Sequence, residues 1–402
     1  MKTSLHSLLA GFAIGVFYTN LPDYLHVHFG VLNPYQWVVV FGVLCLPIAF
    51  KQITDSQILK SPIVIWCFGY ALVTIIWFIG SSQSEVSWQV VRWRILNIIE
   101  IFLFLALFSD REANKAARLT LVGAVLVGCV IQFYELYYPM TFSEVLGRSA
   151  GLYMNPNTAG AALVAGMLCA VTVVPVRYRS VFILLTGAGV LASSSRGSIL
   201  AWFTAAVGLT IVGQARFKDM AFTAGAILFI AVVMVVPRWN DFVADLEQSG
   251  SLNRNVEERL ASLVDPSGPA DESSWSRKYL VAKAWEKIEE RPFLGWGTGA
   301  SFETDIAAHN QSLVFMQDHG ILGIFILPFL LIAVVLNVKG EFRPVVLVFG
   351  CTVMVMSLFS HHLLNQVHTI VMLALATTTT SDSAFAGITP GLGFAPQIGS
   401  AS

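Results

Sequence analysis

The residues in this sequence best placed to do chemistry lie between positions 292 and 310. His309 directly precedes Asn310 and the run Gln311-Ser312-Leu313-Val314-Phe315, which opens an apolar segment. It therefore stands at a helix N-terminus, where the positive end of the dipole disfavours imidazolium. A neutral imidazole is the form a general base requires. The free N–H groups of such a terminus also suit an anion. The plainer reading is a histidine that caps a helix end. Upstream lies Pro292-Phe293-Leu294-Gly295-Trp296-Gly297-Thr298-Gly299. Gly295, Gly297 and Gly299 would let backbone N–H groups approach a phosphate or a sugar closely, and would equally make a tight turn between helices. A nucleotide loop is excluded, because no strand pattern precedes these glycines and no G-K-[ST] follows them.

Arg196 sits in Ser193-Ser194-Ser195-Arg196-Gly197-Ser198, a short turn between apolar runs with no acidic neighbour. An arginine at that depth needs a partner or a watery cavity, and a guanidinium grips phosphate through paired hydrogen bonds. Its partner is then a substrate anion or a distant carboxylate. Arg92 and Arg94 open another run, with Glu100 two turns on. Like Arg148, they either feed the same cleft or snorkel to headgroups. Tyr153-Met154-Asn155-Pro156-Asn157 offers amides to sugar hydroxyls, and also reads as an asparagine-proline helix start. His319, His361, His362, Glu303, Asp305 and Asp318 lack strong metal-ligand spacing beyond a weak Asp305/His309 i,i+4 pair, so neither a metal nor another cofactor is expected. Cys45, Cys67, Cys129, Cys169 and Cys351 all fall in apolar runs and read as small hydrophobes.

The elements that must hold these groups are membrane helices. The chain is 55% hydrophobic and 12% charged, against roughly 25% charged in a soluble domain. About twelve apolar runs are long enough to cross a bilayer. They lie near 5–20, 35–50, 62–80, 90–108, 117–138, 157–174, 180–194, 198–213, 219–236, 311–336, 344–360 and 363–379. The fold class expected is thus all-α and polytopic. Residues 1–236 hold nine helices and 311–380 three more. Between them, 237–310 forms one long soluble insertion, and 381–402 a disordered tail rich in Gly, Ser and Ala. Within the insertion, 255–264 reads as an amphipathic helix. A second helix, capped by Ser273 or Ser274, runs to about Arg291, with Arg277, Val281, Ala284 and Ile288 on one face.

Basic residues set the orientation. With the N-terminus inside, the short inner loops hold Lys2, Lys51, Lys60, Arg111, Lys115, Arg118, Arg177, Arg179, Arg216, Lys218, Lys339 and Arg343, and the outer ones only Arg92, Arg94, Arg148 and Arg196. That bias places both termini in the cytoplasm and the insertion outside. The near-neutral net charge of -1 suggests no nucleic-acid partner.

The combination Arg277…Trp285…Pro292-Phe-Leu-Gly295-x-Gly297-x-Gly299…Ala308-His309-Asn310-x-x-Leu313…Gly320-x-x-Gly323 resembles the O-antigen ligase and polymerase family. So do the Ser195-Arg196-Gly197 turn and Gly151-Leu-Tyr-Met-Asn155-Pro-Asn157. The likeness covers about 148–335, and the remainder only as membrane spans. It implies a bacterial inner-membrane glycosyltransferase of the GT-C type, acting at the periplasmic face on an undecaprenyl-diphosphate-linked glycan. By resemblance His309 is the essential histidine, and Arg196 and Arg277 the essential arginines that bind diphosphate. Asp318 departs from the family's more frequent Glu. The partners implied are the lipid-linked donor, an acceptor such as lipid A–core, and the membrane lipids. A ligase is favoured over a polymerase because there is one substantial outer loop. Transport of lipid or solute is the competing class, but it predicts matching halves and midplane ionisable groups, and the sequence shows neither.

Overall fold

The computed structural model describes residues 4–55, 57–235, 272–303 and 308–378. Among them every regular element is helical. The helices are α1 (Leu5–Ala13, continued by a π-helical turn to Tyr18), α2 (Leu21–Phe29), α3 (Pro34–Asp55), α4 (Pro62–Ile79), α5 (Glu85–Phe108), α6 (Arg111–Tyr137), α7 (Pro156–Ala170), α8 (Val176–Ala192), α9 (Arg196–Ile211) and α10 (Phe217–Val235). After the undescribed stretch come α11 (Glu272–Glu290), α12 (Ala300–Glu303), α13 (Gln311–His319), α14 (Gly323–Asn337), α15 (Arg343–Ser357) and α16 (Val367–Thr377). Each of the twelve apolar runs contains helix. By length and composition, six spans are long and apolar enough to cross a membrane: Pro34–Thr54, Pro62–Ile79, Arg111–Tyr137, Pro156–Val173, Gln311–Asn337 and Gly340–Ser357.

Helix starts follow local capping chemistry. The side chains of Ser84, Asp110, Asn155 and Ser195 each accept a backbone N–H from the first turn of α5, α6, α7 and α9, which satisfies donors that a helix end would otherwise leave bare. α16 is enclosed on all sides, with every residue from His368 to Thr377 buried. That is the situation of a helix with no polar face. It packs on α5 and α7. Arg118 reaches its C-terminal end, donating to the Leu375 carbonyl at 2.8 Å and to the carbonyl of Cys169, a cation where the helix dipole is negative. α3 contrasts, with only 17% of its apolar window buried. Cys45, Cys67, Cys129 and Cys169 are buried and reduced, as their surroundings predict, whereas Cys351 is exposed.

The run at 311–336 is not one helix. It breaks at Gly320, whose φ is +62°, and α13 and α14 meet there through a short 3-10 turn. In the insertion, Ala284 and Ile288 are buried against Ala308, Leu313 and Met316, so α11 lies on α13 as its apolar stripe requires. Val281, on the same stripe, is exposed. Ser273 and Ser274 lie within α11 rather than ahead of it. The Arg277 side chain, the 255–264 segment, Asp305 and the tail after Thr380 lie outside the described residues.

Candidate functional site

The glycine-rich turn seats itself in the α13–α14 break. Gly295, Gly297 and Gly299 have φ of +67°, +98° and +93°, a region L side chains rarely enter. A Cβ on Gly295 would lie 2.5 Å from the Gly320 nitrogen, one on Gly297 2.5 Å from Ser81 Cα, and one on Gly299 2.7 Å from Ser87 Cα. The N–H groups of Gly295, Trp296, Gly297 and Thr298 donate to the carbonyls of Arg291, Gln317, Asp318 and Trp77. The Ile321 N–H returns to the Pro292 carbonyl at 2.8 Å. Of the two uses the sequence allowed for these glycines, the geometry is that of the tight turn. Those four donors are engaged by protein and not presented to a ligand.

A buried ion pair fixes this turn to the bundle. Arg94 bonds Asp318, and its second guanidinium nitrogen lies 2.7 Å from His319 Nε2. Both Arg94 and Asp318 are buried, and Asp318 also accepts the Ser301 N–H at 3.0 Å. The Arg94 guanidinium packs 5.7 Å from the Tyr70 ring centroid and 5.6 Å from that of Phe315. Sequence left Arg94 between cleft and headgroups, but its partner lies 224 positions away. Glu303 adds a second tie, accepting from Ser82, Ser84 and Ser87. Partial burial opposes its ionisation, but the serine hydroxyls outweigh that and hold its carboxyl below the usual carboxylate range.

The pocket lies where this anchored α13 meets the starts of α7 and α9. It is a cavity of about 120 Å³ whose lining includes Asn155, Asn157, Ser195, Gly197, His309, His361 and His362. The Gln311 side chain accepts the Leu363 N–H at 3.0 Å, tying the first turn of α13 to the 358–366 loop. His309 and His361 face each other there, with Nδ1 atoms 3.1 Å apart. Burial, then the nearby rings of His362 and His309, push the His361 imidazole down to about 3. Burial and His309 lower His362 as well. At neutral pH both rings are uncharged. His361 can then take an N–H from His309 or give one to it, according to tautomer.

Backbone strain collects at the same place. Ser194 has φ +50° and Met154 φ +58°, and each immediately precedes an N-cap residue that lines the pocket, Ser195 and Asn155. Such conformations cost about 1–3 kcal/mol each and persist where the surroundings impose them. Here the imposing contacts are visible. Buried Glu135 accepts the N–H groups of Phe142, Ser143, Ala150 and Gly151, which sets the loop leading to Asn155. Arg148 donates to the Ser193 carbonyl at 3.2 Å and to Asn157 Oδ1 at 2.8 Å, bracing the wall from behind. A Cβ on Gly197 would lie 2.7 Å from the Phe359 ring, so this glycine lets the 358–366 loop approach α9.

Of the sequence-derived candidates, the structure thus gathers His309 and Asn155 in one cavity. Arg196 is the first residue of α9, flanked by the lining residues Ser195 and Gly197. Asn310 caps α13, accepting from the N–H groups of Ser312 and Leu313 at 2.9 and 3.2 Å. Arg92 is exposed on α5. Gly295, Gly297 and Gly299 lie behind α13 and do not line the pocket. Sequence reasoning weighed His361 and His362 only as metal ligands and missed their contact with His309. Among the described residues no group of three or more His, Cys, Asp or Glu could hold a metal ion. The signal for His361 was topological, since the expected alternation of the 311–336 and 344–360 runs as spans would put the end of the second on His309's side.

Residues 181–328 match the family model described as O-antigen ligase. No curated protein matches the chain.

Proposed function

We propose, from the match of residues 181–328 to the O-antigen ligase family model, that the chain transfers a glycan from undecaprenyl diphosphate to an acceptor hydroxyl, with lipid A–core the favoured acceptor. The observation that carries the reading is the His309–His361 pair, 3.1 Å apart in a pocket beside the start of α9. His309 Nε2 takes the proton of the acceptor hydroxyl while its Nδ1–H is steadied by His361. The hydroxyl oxygen forms its bond to the anomeric carbon, and the bond from that carbon to the diphosphate oxygen breaks. Its electron pair leaves with the diphosphate. Arg196, and Arg277 from α11, stabilise the charge that develops there. Attack from the opposite face inverts the anomeric centre. The donor bond is already activated, so this route asks for no metal and no nucleotide.

The same reading takes all twelve apolar runs as spans, the shorter helices crossing at points where the protein surrounds them. It sets the chain in a bacterial inner membrane with the pocket facing the periplasm and both termini in the cytoplasm, as the basic residues suggest. The deciding experiment is turnover by the purified protein in nanodiscs, given undecaprenyl-diphosphate-linked glycan and acceptor. His309→Ala should keep the fold and lose at least about 10²-fold in rate, the lower end of what a general base supplies. Near-normal transfer by that variant would refute the base role.

A further inference from the structure

We propose that a second cavity, next to the His309 pocket and walled by the N-terminal elements, is a carbohydrate subsite holding an uncharged sugar of the acceptor. Only the word acceptor rests on the glycosyltransferase reading; sugar binding stands on the cavity itself. Its volume is about 530 Å³, within the range of small-molecule sites. Asp23 of α2, Asn33 ahead of α3, Tyr35, Asn155, Gln366 and His368 are among its lining, and no Lys or Arg is. A diphosphate finds no guanidinium or ammonium there, and the one carboxylate repels it. Sugar hydroxyls both donate and accept, which matches amide side chains that do the same and a carboxylate that accepts.

An independent observation points to a ligand. His368 is 3% exposed and lines the cavity, yet its Nδ1 has no hydrogen-bond partner. Buried polar atoms left alone in this way are uncommon, and a small turn of the ring toward the cavity would let a ligand hydroxyl satisfy it. The Tyr153 ring meets the His368 ring edge-on, with centroids 5.2 Å apart. The cavity adjoins the catalytic pocket, since Asn155, Thr158 and Gln366 line both. Gln366 Nε2 donates to Thr158 Oγ1 at 3.2 Å, forming a low sill between them. A sugar seated among Asp23, Tyr35 and His368 can extend one hydroxyl across that sill toward His309, while the arginines keep the diphosphate on the other side. Substrates are thereby sorted by charge, anionic donor against uncharged acceptor.

The test uses an octyl glucoside bearing a photoreactive diazirine, with the full-length protein in nanodiscs. Labelling is expected in peptides covering residues 20–36 and 365–368, displaced by excess maltotriose but not by pyrophosphate. Asp23→Asn or Tyr35→Phe should each reduce it about fivefold or more, the effect of one lost hydrogen bond to a ligand, and His309→Ala should leave it unchanged. Labelling elsewhere, displacement by pyrophosphate, or indifference to both substitutions overturns the subsite. In turnover assays Asp23→Asn should raise the acceptor KM about tenfold with the donor KM unmoved. If the donor KM moves instead, the acceptor assignment is wrong. If the parent protein transfers no glycan while labelling behaves as expected, the glycosyltransfer reading fails and the sugar site survives.

Discussion

Replacing His361 isolates what the imidazole pair contributes. With His309 in the neutral form a general base requires, the Nδ1–Nδ1 contact of 3.1 Å is a hydrogen bond worth about 1 kcal/mol net. When His309 takes the acceptor's proton it becomes cationic. His361, held at about 3 by burial and its histidine neighbours, stays neutral and accepts from it. A hydrogen bond to a charged group is worth about 1.5–3 kcal/mol, so the gain on reaching the transition state is about 0.5–2 kcal/mol. At 1.36 kcal/mol per tenfold, His361→Ala should slow turnover by about 2–30-fold, with both KM values little changed. That is less than the loss expected for His309→Ala, because the base itself remains. His361→Asn, whose amide can stand near the position of Nδ1, should recover most of the loss. The assay is single-turnover transfer with saturating donor and acceptor, and a thermal melt verifies folding. A folded His361→Ala enzyme as fast as the parent, or as slow as His309→Ala, would refute the positioning role.

Arg196→Lys should impair transfer although its charge is kept, since a lysine cannot reproduce paired hydrogen bonds to phosphate; equal donor kinetics for the two proteins would make Arg196 structural. Arg94→Met should destabilise by about 3–5 kcal/mol, because it leaves Asp318 charged and buried, and the double variant Arg94→Met/Asp318→Leu should recover much of that loss; thermal unfolding in nanodiscs decides, and equal melting of single and double variants counts against the ion pair. Glu303 has a folded pKa below the unfolded one, so its tie to Ser82, Ser84 and Ser87 is present above the ordinary carboxylate pKa and lost as pH falls through the folded value. Protection factors in 80–88, taken against the intrinsic exchange rate at each pH, should therefore fall on acidification in the parent, and that fall should be absent in Glu303→Gln.

The periodicity and low charge of this chain determined a helical membrane protein, and local rules placed much of its punctuation. The asparagine-proline start at Asn155 caps α7 as its local chemistry requires, whereas Ser273 and Ser274, read as caps, lie inside α11. The apolar stripe of α11 correctly gave Ala284 and Ile288 as its buried contacts. His309 was legible as well, because a histidine ahead of an apolar run must stand at a helix end. Those inferences depend on neighbours within a turn or two, where spacing fixes geometry.

Tertiary structure decided which distant groups meet. No spacing rule links Arg94 to Asp318, Glu303 to the serines at and before the start of α5, or His361 to His309, since each pair is joined only when separate helices pack. The same holds for the glycines. A positive φ is compatible with a ligand loop and with a tight turn, and only the backbone of α13 lying against Gly295 resolved the choice. The N-terminal cavity was silent in sequence for the same reason. Asp23, Asn33 and Tyr35 are ordinary loop and helix-end residues until α16 brings His368 beside them. Hydrophobic burial, being non-directional, writes itself into the pattern of a single helix, whereas a hydrogen bond or ion pair needs two partners at one distance, and that distance exists only in the folded chain.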